Sequence, residues 1–170
     1  MVIFKRNSFS KTSSWYFHRS GETYKGGTYK GLDIAIGDKA RNIFGGILIR
    51  ALETDSGEVI EGSCLCANAI LDAAGVKSVA ELADDLLGGD RSAASSDATR
   101  PLRLVVSDAP RKAPVYKSMR VGLTLKQNDA FAERLRYIGA NYRFVTRADV
   151  IRKGAPHLAA ALAHQGKTAS

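Results

Sequence analysis

Cysteine is scarce in this sequence: the 170 residues contain 2, Cys64 and Cys66. One residue separates them, and no Cys/His cluster with the spacing of a zinc site occurs elsewhere in the chain. We therefore expect reduced thiols on a helix, no metal, no cofactor and no structural disulfide. A single domain of this length buries roughly two-thirds of the surface of its unfolded chain, so a packed core suffices. The predicted organisation is one domain over residues 1–170.

Long apolar runs are also missing. No segment approaches the roughly 18 apolar residues of a membrane span, and residues 1–14 are polar and basic, without the apolar run of a secretory signal. We therefore expect a soluble protein that does not enter a membrane. The predicted location is the cytoplasm, at the nucleoid in a bacterium or in the nucleus in a eukaryote. The sequence leaves the oligomeric state open.

Acidic residues are few at both ends of the chain. Residues 1–50 hold nine Lys/Arg against three Asp/Glu, residues 51–98 hold two against ten, and residues 99–170 hold fourteen against four. The net charge of +8 therefore conceals two basic segments, +6 and +10, on either side of an acidic one of −8. If the basic segments meet, they form a positive face of the kind that binds a polyanion. The alternative is a set of solvated surface lysines.

Apolar periodicity predicts several strands. Strict alternation indicates a half-buried strand over 32–36, with Asp33 on the face opposite the apolar residues. The nearly continuous apolar run 47–52 predicts a central strand covered on both faces, which would enclose Arg50. Two further strands are predicted at 102–106 and 120–125.

Capping signals predict the helices. Gly62 precedes a helix that ends at Gly75, and Ser78 with Glu81 forms a capping box for a second helix that ends at Gly88. The apolar stripe of the second helix consists of Val79, Leu82, Ala83 and Leu86. Shorter helices are predicted from residue 128 or 129 to 137 and over 157–164.

The remaining segments lack periodicity. Residues 1–30 are predicted to be irregular, with 1–20 irregular at least in part. Residues 89–100 are predicted to form a mobile surface loop. No alternation of strand, glycine loop and helix occurs, so the pattern favours an α+β domain over a doubly wound sheet. An α+β domain is the predicted fold class.

A cation inside an apolar strand needs a partner. Arg50 is costly there unless its guanidinium meets a carboxylate, a phosphate or water, and Asp33 and Glu53 are candidates within the chain. The alternative is that the strand face of Arg50 opens to solvent at the end of a sheet. Asp33 would either neutralise Arg50, the favoured role, or act as a general base toward water. No serine or cysteine nucleophile motif surrounds His18, so a hydrolase triad is not predicted.

Two motifs resemble the alkyladenine (3-methyladenine) DNA glycosylase family. The segment 47–53, Ile-Leu-Ile-Arg-Ala-Leu-Glu, is similar to the Leu/Ile-Arg-Ala-Leu-Glu strand of that family, and 62–66 takes the place of the helix start that follows it. Independently, Arg-Val-Gly-Leu at 120–123 and Tyr-Arg-Phe-Val at 142–145 resemble two carboxy-terminal motifs in the same order. The resemblance covers roughly Tyr24 to Arg152.

The resemblance implies a curved antiparallel sheet with flanking helices that binds duplex DNA and flips a damaged base into a pocket. Arg50 would hold the attacking water, the backbone of Val121 would line the pocket, and Asp33 would correspond loosely to a pocket asparagine. The glutamate segment that supplies the general base in the family has no counterpart here. Glu22 is the stand-in by type and position, with Asp33 as the alternative.

The sequence thus predicts a glycosylase-like protein that binds DNA, or RNA. If the protein is an enzyme, the predicted reaction is hydrolysis of the N-glycosidic bond of a damaged purine without metal or cofactor. The alternatives are a non-catalytic nucleic-acid-binding module of the same fold and a basic protein-interaction domain. Aromatic side chains beside cations suit the stacking of bases and the neutralisation of phosphates. The predicted catalytic residues are Asp33, Arg50 and Glu22, and the predicted nucleic-acid contacts are Arg19, Tyr24, Lys25, Tyr29, Lys30, Lys117, Arg120, Val121 and Arg143.

Overall fold

The computed structural model describes residues 13–105, 114–122 and 131–164. The chain divides into two compact units, an amino-terminal unit of residues 1–110 and a carboxy-terminal unit of residues 111–170. Both combine helices with short antiparallel strands, which confirms the α+β class. The single domain and the glycosylase fold stay predictions. Among the residues described, no helix has the length and apolar character needed to cross a membrane.

A three-stranded antiparallel sheet forms the centre of the amino-terminal unit. The strands of this unit are β1 (Ser14–Phe17), β2 (Arg19–Ser20), β3 (Thr23–Tyr24), β4 (Leu32–Asp38), β5 (Ile43–Leu48), β6 (Ala51–Glu53) and β7 (Val59–Glu61). The sheet has the order β1-β4-β5, while β2 pairs with β3 and β6 with β7 in separate hairpins. Strand β4 is therefore the central strand and β5 an edge of the sheet among the described residues.

Strand β1 corrects the prediction that residues 1–30 are irregular. Trp15 and Phe17 lie opposite Ile34 and Leu32 of β4, and all four side chains are buried in the core. The aromatics that alternate with Tyr16, which is exposed, thus supply the period of two that a half-buried strand requires. The predicted irregularity of residues 1–12 lies outside the described residues.

Helix α1 (Ser63–Ala73) follows β7 and has the predicted ends. Gly62 precedes it at φ 119°, and Gly75 follows at φ 72°, a left-handed conformation that suits glycine. The N–H groups of Gly75 and Val76 bond to the carbonyls of Asp72 and Leu71, which is a Schellman motif. Both cysteines lie in α1 as free thiols, as the sequence predicts.

The second predicted helix is a π-helix over Glu81–Leu86. The serine half of its capping box is confirmed, because Ser78 Oγ accepts the Glu81 N–H at 3.1 Å. The Glu81 carboxylate accepts the Lys77 N–H, one residue before the capping serine, at 2.9 Å. The Leu87 N–H bonds to the Leu82 carbonyl, five residues back. This wider turn buries Leu82 and Leu87, so the prediction that Leu86 joins the buried stripe is wrong: Leu86 is exposed.

Backbone contacts hold the segment after the π-helix against β1. Ser92 forms a bridge with Ser14, the Ala93 N–H bonds to the Ser13 carbonyl, and Ala93 is fully buried. Leu104 makes a single parallel bridge with Ala94 rather than a strand, so the strand predicted from 102 is wrong over its described part. The mobility of residues 89–100 stays a prediction.

In the carboxy-terminal unit two strands pair and one helix covers them. Strand β8 (Tyr116–Ser118) is antiparallel to β9 (Arg143–Val145), and helix α3 (Ala155–His164) packs against β8. Helix α2 (Phe131–Ile138) lies between the two strands in sequence. The predicted last helix is confirmed, with Pro156 in its first turn. The strand predicted from Arg120 is wrong for 120–122, because residue 120 is in no strand and 121–122 form a bend. The continuation of that strand lies outside the described residues.

Candidate nucleic-acid interface

Asp33 is bonded to His18. Nε2 of His18 lies 3.0 Å from Oδ1 of Asp33, and the two side chains are 28% and 22% exposed. Strand β4 turns Asp33 to the face opposite the buried Leu32 and Ile34, as the alternation predicts. The Asp33 carboxylate is therefore bonded to an imidazole, whereas the sequence predicted that it would neutralise Arg50 or act as a base toward water. A carboxylate that orients an imidazole is an arrangement suited to general acid–base chemistry.

Gly31 explains the position of the imidazole ring. A Cβ atom at Gly31 would lie 2.5 Å from Nδ1 and 2.6 Å from Cε1 of His18. The His18 N–H also donates to the Gly31 carbonyl at 3.0 Å. One edge of the ring therefore rests on the backbone and the other edge meets Asp33. Among residues 13–105, 114–122 and 131–164, no group of three His, Cys, Asp or Glu side chains is placed to hold a metal ion.

Arg50 does not lie in a central strand, so that prediction is wrong. Strand β5 ends at Leu48 and β6 begins at Ala51, and the Arg50 side chain between them is exposed. The Arg50 carbonyl accepts the Gly62 N–H at 2.7 Å, which fixes the backbone where the chain leaves one sheet for the next. The apolar run 47–52 thus belongs to two separate sheets, which explains its composition without burying the guanidinium.

Glu22 lies on the exposed turn that joins β2 to β3. Gly21 precedes it at φ 59°, a conformation typical of tight hairpin turns. The solvated position offers none of the burial that usually prepares a carboxylate for general-base catalysis. The catalytic role of Glu22 stays a prediction that its position does not support.

Arg19 and Tyr24 stabilise the amino-terminal unit. The two face each other across the β2–β3 hairpin, and the Arg19 guanidinium lies 4.1 Å from the Tyr24 ring centroid. The Tyr24 hydroxyl donates to Asp84 at 2.7 Å and accepts from Arg91 at 3.0 Å. A cation already covers one face of the ring, so Tyr24 has less surface on which a base can stack.

The segment after Tyr24 is attached to helix α1. Lys30 Nζ donates to Asn68 Oδ1 at 2.6 Å, and Cys64 Sγ donates to the Gly27 carbonyl at 3.1 Å. Lys25 is exposed, and Tyr29 is 77% exposed. A shallow groove of about 350 Å³ adjoins Lys30 and is lined by Lys30, Asn68, Leu71, Asp72, Val76 and Lys77.

Arg143 braces the carboxy-terminal unit. Its two terminal nitrogens donate to the carbonyls of Lys153 at 2.6 Å and Gly154 at 3.2 Å, just before helix α3. A Cβ atom at Gly154 would collide with the Val121 side chain and lie 2.8 Å from Arg143 Nη1, so Val121, Arg143 and Gly154 pack closely. Arg143 and Val121 therefore have structural contacts, whereas Arg120 is exposed.

Lys117 and Phe144 form the exposed face of the β8–β9 hairpin. They are direct cross-strand partners, and Lys117 Nζ lies 5.8 Å from the Phe144 ring centroid. Phe144 is 61% exposed. Lys117 is one of the predicted nucleic-acid contacts, whereas Phe144 is not, although its alternation with the apolar Val145 indicates an exposed ring. We call Lys117, Phe144 and the exposed Tyr142 the β8–β9 face.

A second aromatic cluster joins the β8–β9 face. The rings of Tyr137 and Tyr142 have centroids 6.2 Å apart, and the Arg136 guanidinium lies 5.8 Å from the Tyr137 centroid. All three side chains are exposed. Because Tyr142 belongs to both groups, cations and aromatic rings follow one another across this surface.

In the part of the chain that the structure describes, three carboxyls have clearly shifted pKa values. Hydrogen bonds, chiefly from Arg100, hold the pKa of Asp90 well below its ordinary value of 3.8. A hydrogen bond from Thr99 lowers the pKa of Asp97, and one from Arg147 lowers the pKa of Asp149. Asp149 therefore stays ionised beside Arg147, and the charges of the pair cancel.

Comparison with known proteins gives one relative. An uncharacterized protein of Acanthamoeba polyphaga mimivirus, L759, is 29% identical to this chain in an alignment of 153 residues. The alignment covers 82% of this chain and 65% of the length of the viral protein. No family model matches the sequence. No solved structure matches it either.

Proposed function

We propose that this protein binds nucleic acid through the β8–β9 face and the cations beside it. The observation that carries the proposal is Lys117, whose Nζ lies 5.8 Å from the centroid of the exposed Phe144 ring. Arg120, three residues further along the chain, is also exposed. Cations that neutralise phosphates supply affinity, and aromatic rings supply contacts to bases. Residues 111–170 hold twelve Lys/Arg against three Asp/Glu, which favours a polyanion over a neutral partner.

Fluorescence anisotropy with a labelled oligonucleotide tests this proposal across a range of salt concentrations. The logarithm of the affinity should fall linearly with the logarithm of the salt concentration. Lys117→Gln should weaken binding and lower the slope by about 0.7 to 0.9, the value of one phosphate contact. Lys39→Gln removes the same charge from the exposed turn after β4 and should change neither quantity. Failure to bind any DNA or RNA would refute the proposal and leave an acidic protein as the partner class.

A second candidate function is hydrolysis of the N-glycosidic bond of a damaged purine in DNA. The observation that favours it is the Asp33–His18 pair, a half-buried carboxylate on the face of β4 opposite the core, together with the resemblance at 47–53. Tyr16, directly opposite Asp33 and 46% exposed, offers an aromatic surface beside the pair. Asp33 would act as the base toward water and His18 would orient it.

The catalytic candidate is tested by base release from duplexes that carry an alkylated or deaminated purine. The wild-type protein should generate abasic sites, and Asp33→Asn should abolish them. Arg50→Ala and Glu22→Gln test the two other predicted catalytic residues in the same assay. Asp55→Asn makes the matched change on an exposed turn and should retain release. An absence of release by the wild-type protein would refute catalysis and leave the binding proposal intact.

A further inference from the structure

We infer that the β8–β9 face binds single-stranded nucleic acid and that bases stack on Phe144 and Tyr142. The inference rests on the proposed function, because it names the form of nucleic acid that the same surface binds. It begins with the exposure of the rings: Phe144 is 61% exposed and Tyr142 60%. Tyr142 directly precedes strand β9 and is two residues before Phe144 in the chain.

The core of the carboxy-terminal unit does not use these rings. Ser118 and Val145, on the two strands, are buried, and so are Leu158 and Leu162 of α3, the helix that packs against β8. Phe144 alternates with Val145 and therefore points to the opposite side of the hairpin. The inner side of the hairpin thus forms the core, while the outer side presents a phenylalanine that contributes little to packing.

The cations lie beside these rings. Lys117 Nζ is 5.8 Å from the Phe144 centroid, and the Arg136 guanidinium is 5.8 Å from that of Tyr137, whose ring neighbours Tyr142. A single strand needs this combination, since its phosphates contact cations while its bases stack on the adjacent rings. Each of the two aromatic groups therefore has a cation next to it.

Duplex nucleic acid fits this surface less well. The bases of a duplex are stacked on one another, so their faces are closed to a protein side chain unless a base is flipped out. Unpaired bases offer their faces freely, and proteins that recognise them use exposed aromatic side chains. A surface that binds phosphates alone would gain nothing from two exposed rings, and their presence therefore favours an unpaired strand.

The test compares one labelled single-stranded oligonucleotide of mixed sequence with the same strand annealed to its complement. The single strand should bind more tightly. Phe144→Leu keeps an apolar side chain but removes the ring, and it should weaken single-strand binding roughly 5- to 150-fold, the range for one base–aromatic stack. Duplex binding should change less than about twofold. Phe144→Tyr keeps the ring and should retain single-strand affinity.

Two further variants make the outcome decisive. Phe44→Leu makes the same change at a phenylalanine of the amino-terminal unit that is 72% exposed, and it should leave both affinities unchanged. Tyr142→Leu repeats the test at the second ring if Phe144→Leu loses its circular dichroism signal. Equal affinity for both forms, with no effect of either ring variant but a loss for Lys117→Gln, would overturn this inference and retain nucleic-acid binding. An absence of binding to both forms would overturn the proposed function itself.

Discussion

Replacing Gly31 by alanine tests the contact between the Gly31 backbone and the His18 ring, which is bonded to Asp33. The new Cβ would lie 2.5 Å from Nδ1 and 3.0 Å from Cγ of the His18 ring, closer than side-chain atoms approach one another. The backbone of Gly31 does not have a left-handed φ, so the effect of the methyl group is steric and not conformational. The ring must move away, and its hydrogen bond to Asp33 must lengthen or break.

The magnitude follows from two opposing effects. Overpacking in a filled site costs about 1–3 kcal/mol. The restriction of the unfolded chain by alanine returns about 0.4–1 kcal/mol. The central values of these ranges give a loss of about 1.3 kcal/mol in the free energy of unfolding for Gly31→Ala, and the extremes about 0–2.6 kcal/mol. For a chain of this size each kcal/mol lowers Tm by about 2–4 °C.

The assay is denaturant unfolding followed by tryptophan fluorescence. Trp15, the one tryptophan in the sequence, is buried in strand β1 and reports on the amino-terminal unit. Gly26→Ala is the matched control, because its backbone has φ −99° and a Cβ there meets no atom within 4 Å. It should change stability by less than about 0.5 kcal/mol.

A double-mutant cycle shows whether the His18 ring is the cause. In a His18→Ala background the methyl group of Gly31→Ala has room, so its cost should fall to that of Gly26→Ala. Equal stability of Gly31→Ala and Gly26→Ala in the wild-type background would refute the reasoning. So would a cost of Gly31→Ala that remains undiminished after the imidazole has been removed.

Three other changes have expected outcomes. Leu82→Ala should cost about 2–5 kcal/mol because Leu82 is fully buried, whereas Leu86→Ala should be nearly neutral in the same unfolding assay; equal costs would contradict the π-helical register. The folded-state pKa of Asp90 is lowered, so its stabilisation is present above the ordinary pKa of 3.8 and lost as pH falls below it. Asp90→Asn should therefore flatten the acid limb of a stability–pH curve, and an unchanged limb would contradict this. Gly154→Ala should destabilise the carboxy-terminal unit by about 1–3 kcal/mol in circular dichroism melts, because Gly154 has φ 71° and packs against Val121. Gly139→Ala is the control, since a Cβ there meets no atom within 4 Å, and equal melts of the two variants would contradict the packing.

The sequence correctly predicted helix ends and one strand, because these depend on residues that are close together in the chain. The serine half of the capping box at Ser78 and Glu81 and the glycine after α1 depend on residues within one helical turn, and both are confirmed. The strand over 32–36 is confirmed because alternation depends on one buried face, although the strand continues to Asp38. These elements need no knowledge of the remainder of the chain.

The errors occur where tertiary contacts decide the structure. The run 47–52 contains the end of β5 and the start of β6, which belong to different sheets. An apolar pattern cannot distinguish two such short segments from one strand covered on both faces. Leu86 is exposed because a π-helix needs five residues to return to the same face, which a stripe read at 3.6 residues per turn misplaces. The sequence predicts Asp33 as a site residue. Its bond to His18 could not be predicted, because the position of the imidazole depends on where β1 ends relative to β4.

Tertiary contacts also decide which of the predicted phosphate-binding cations stabilise the fold and which are exposed at the surface. Arg143 was predicted to contact phosphate, yet its terminal nitrogens bond to two backbone carbonyls before α3, and moving it would leave those carbonyls without their donors. Lys117 instead lies on the outer side of the same hairpin, where its ammonium can contact phosphate without any loss to the core. Because residues 143 and 144 alternate across β9, the strand that directs Arg143 inward also directs Phe144 outward. A nucleic-acid site on this unit is therefore expected at Lys117 and Phe144, and Arg143 acts by holding the hairpin beneath them.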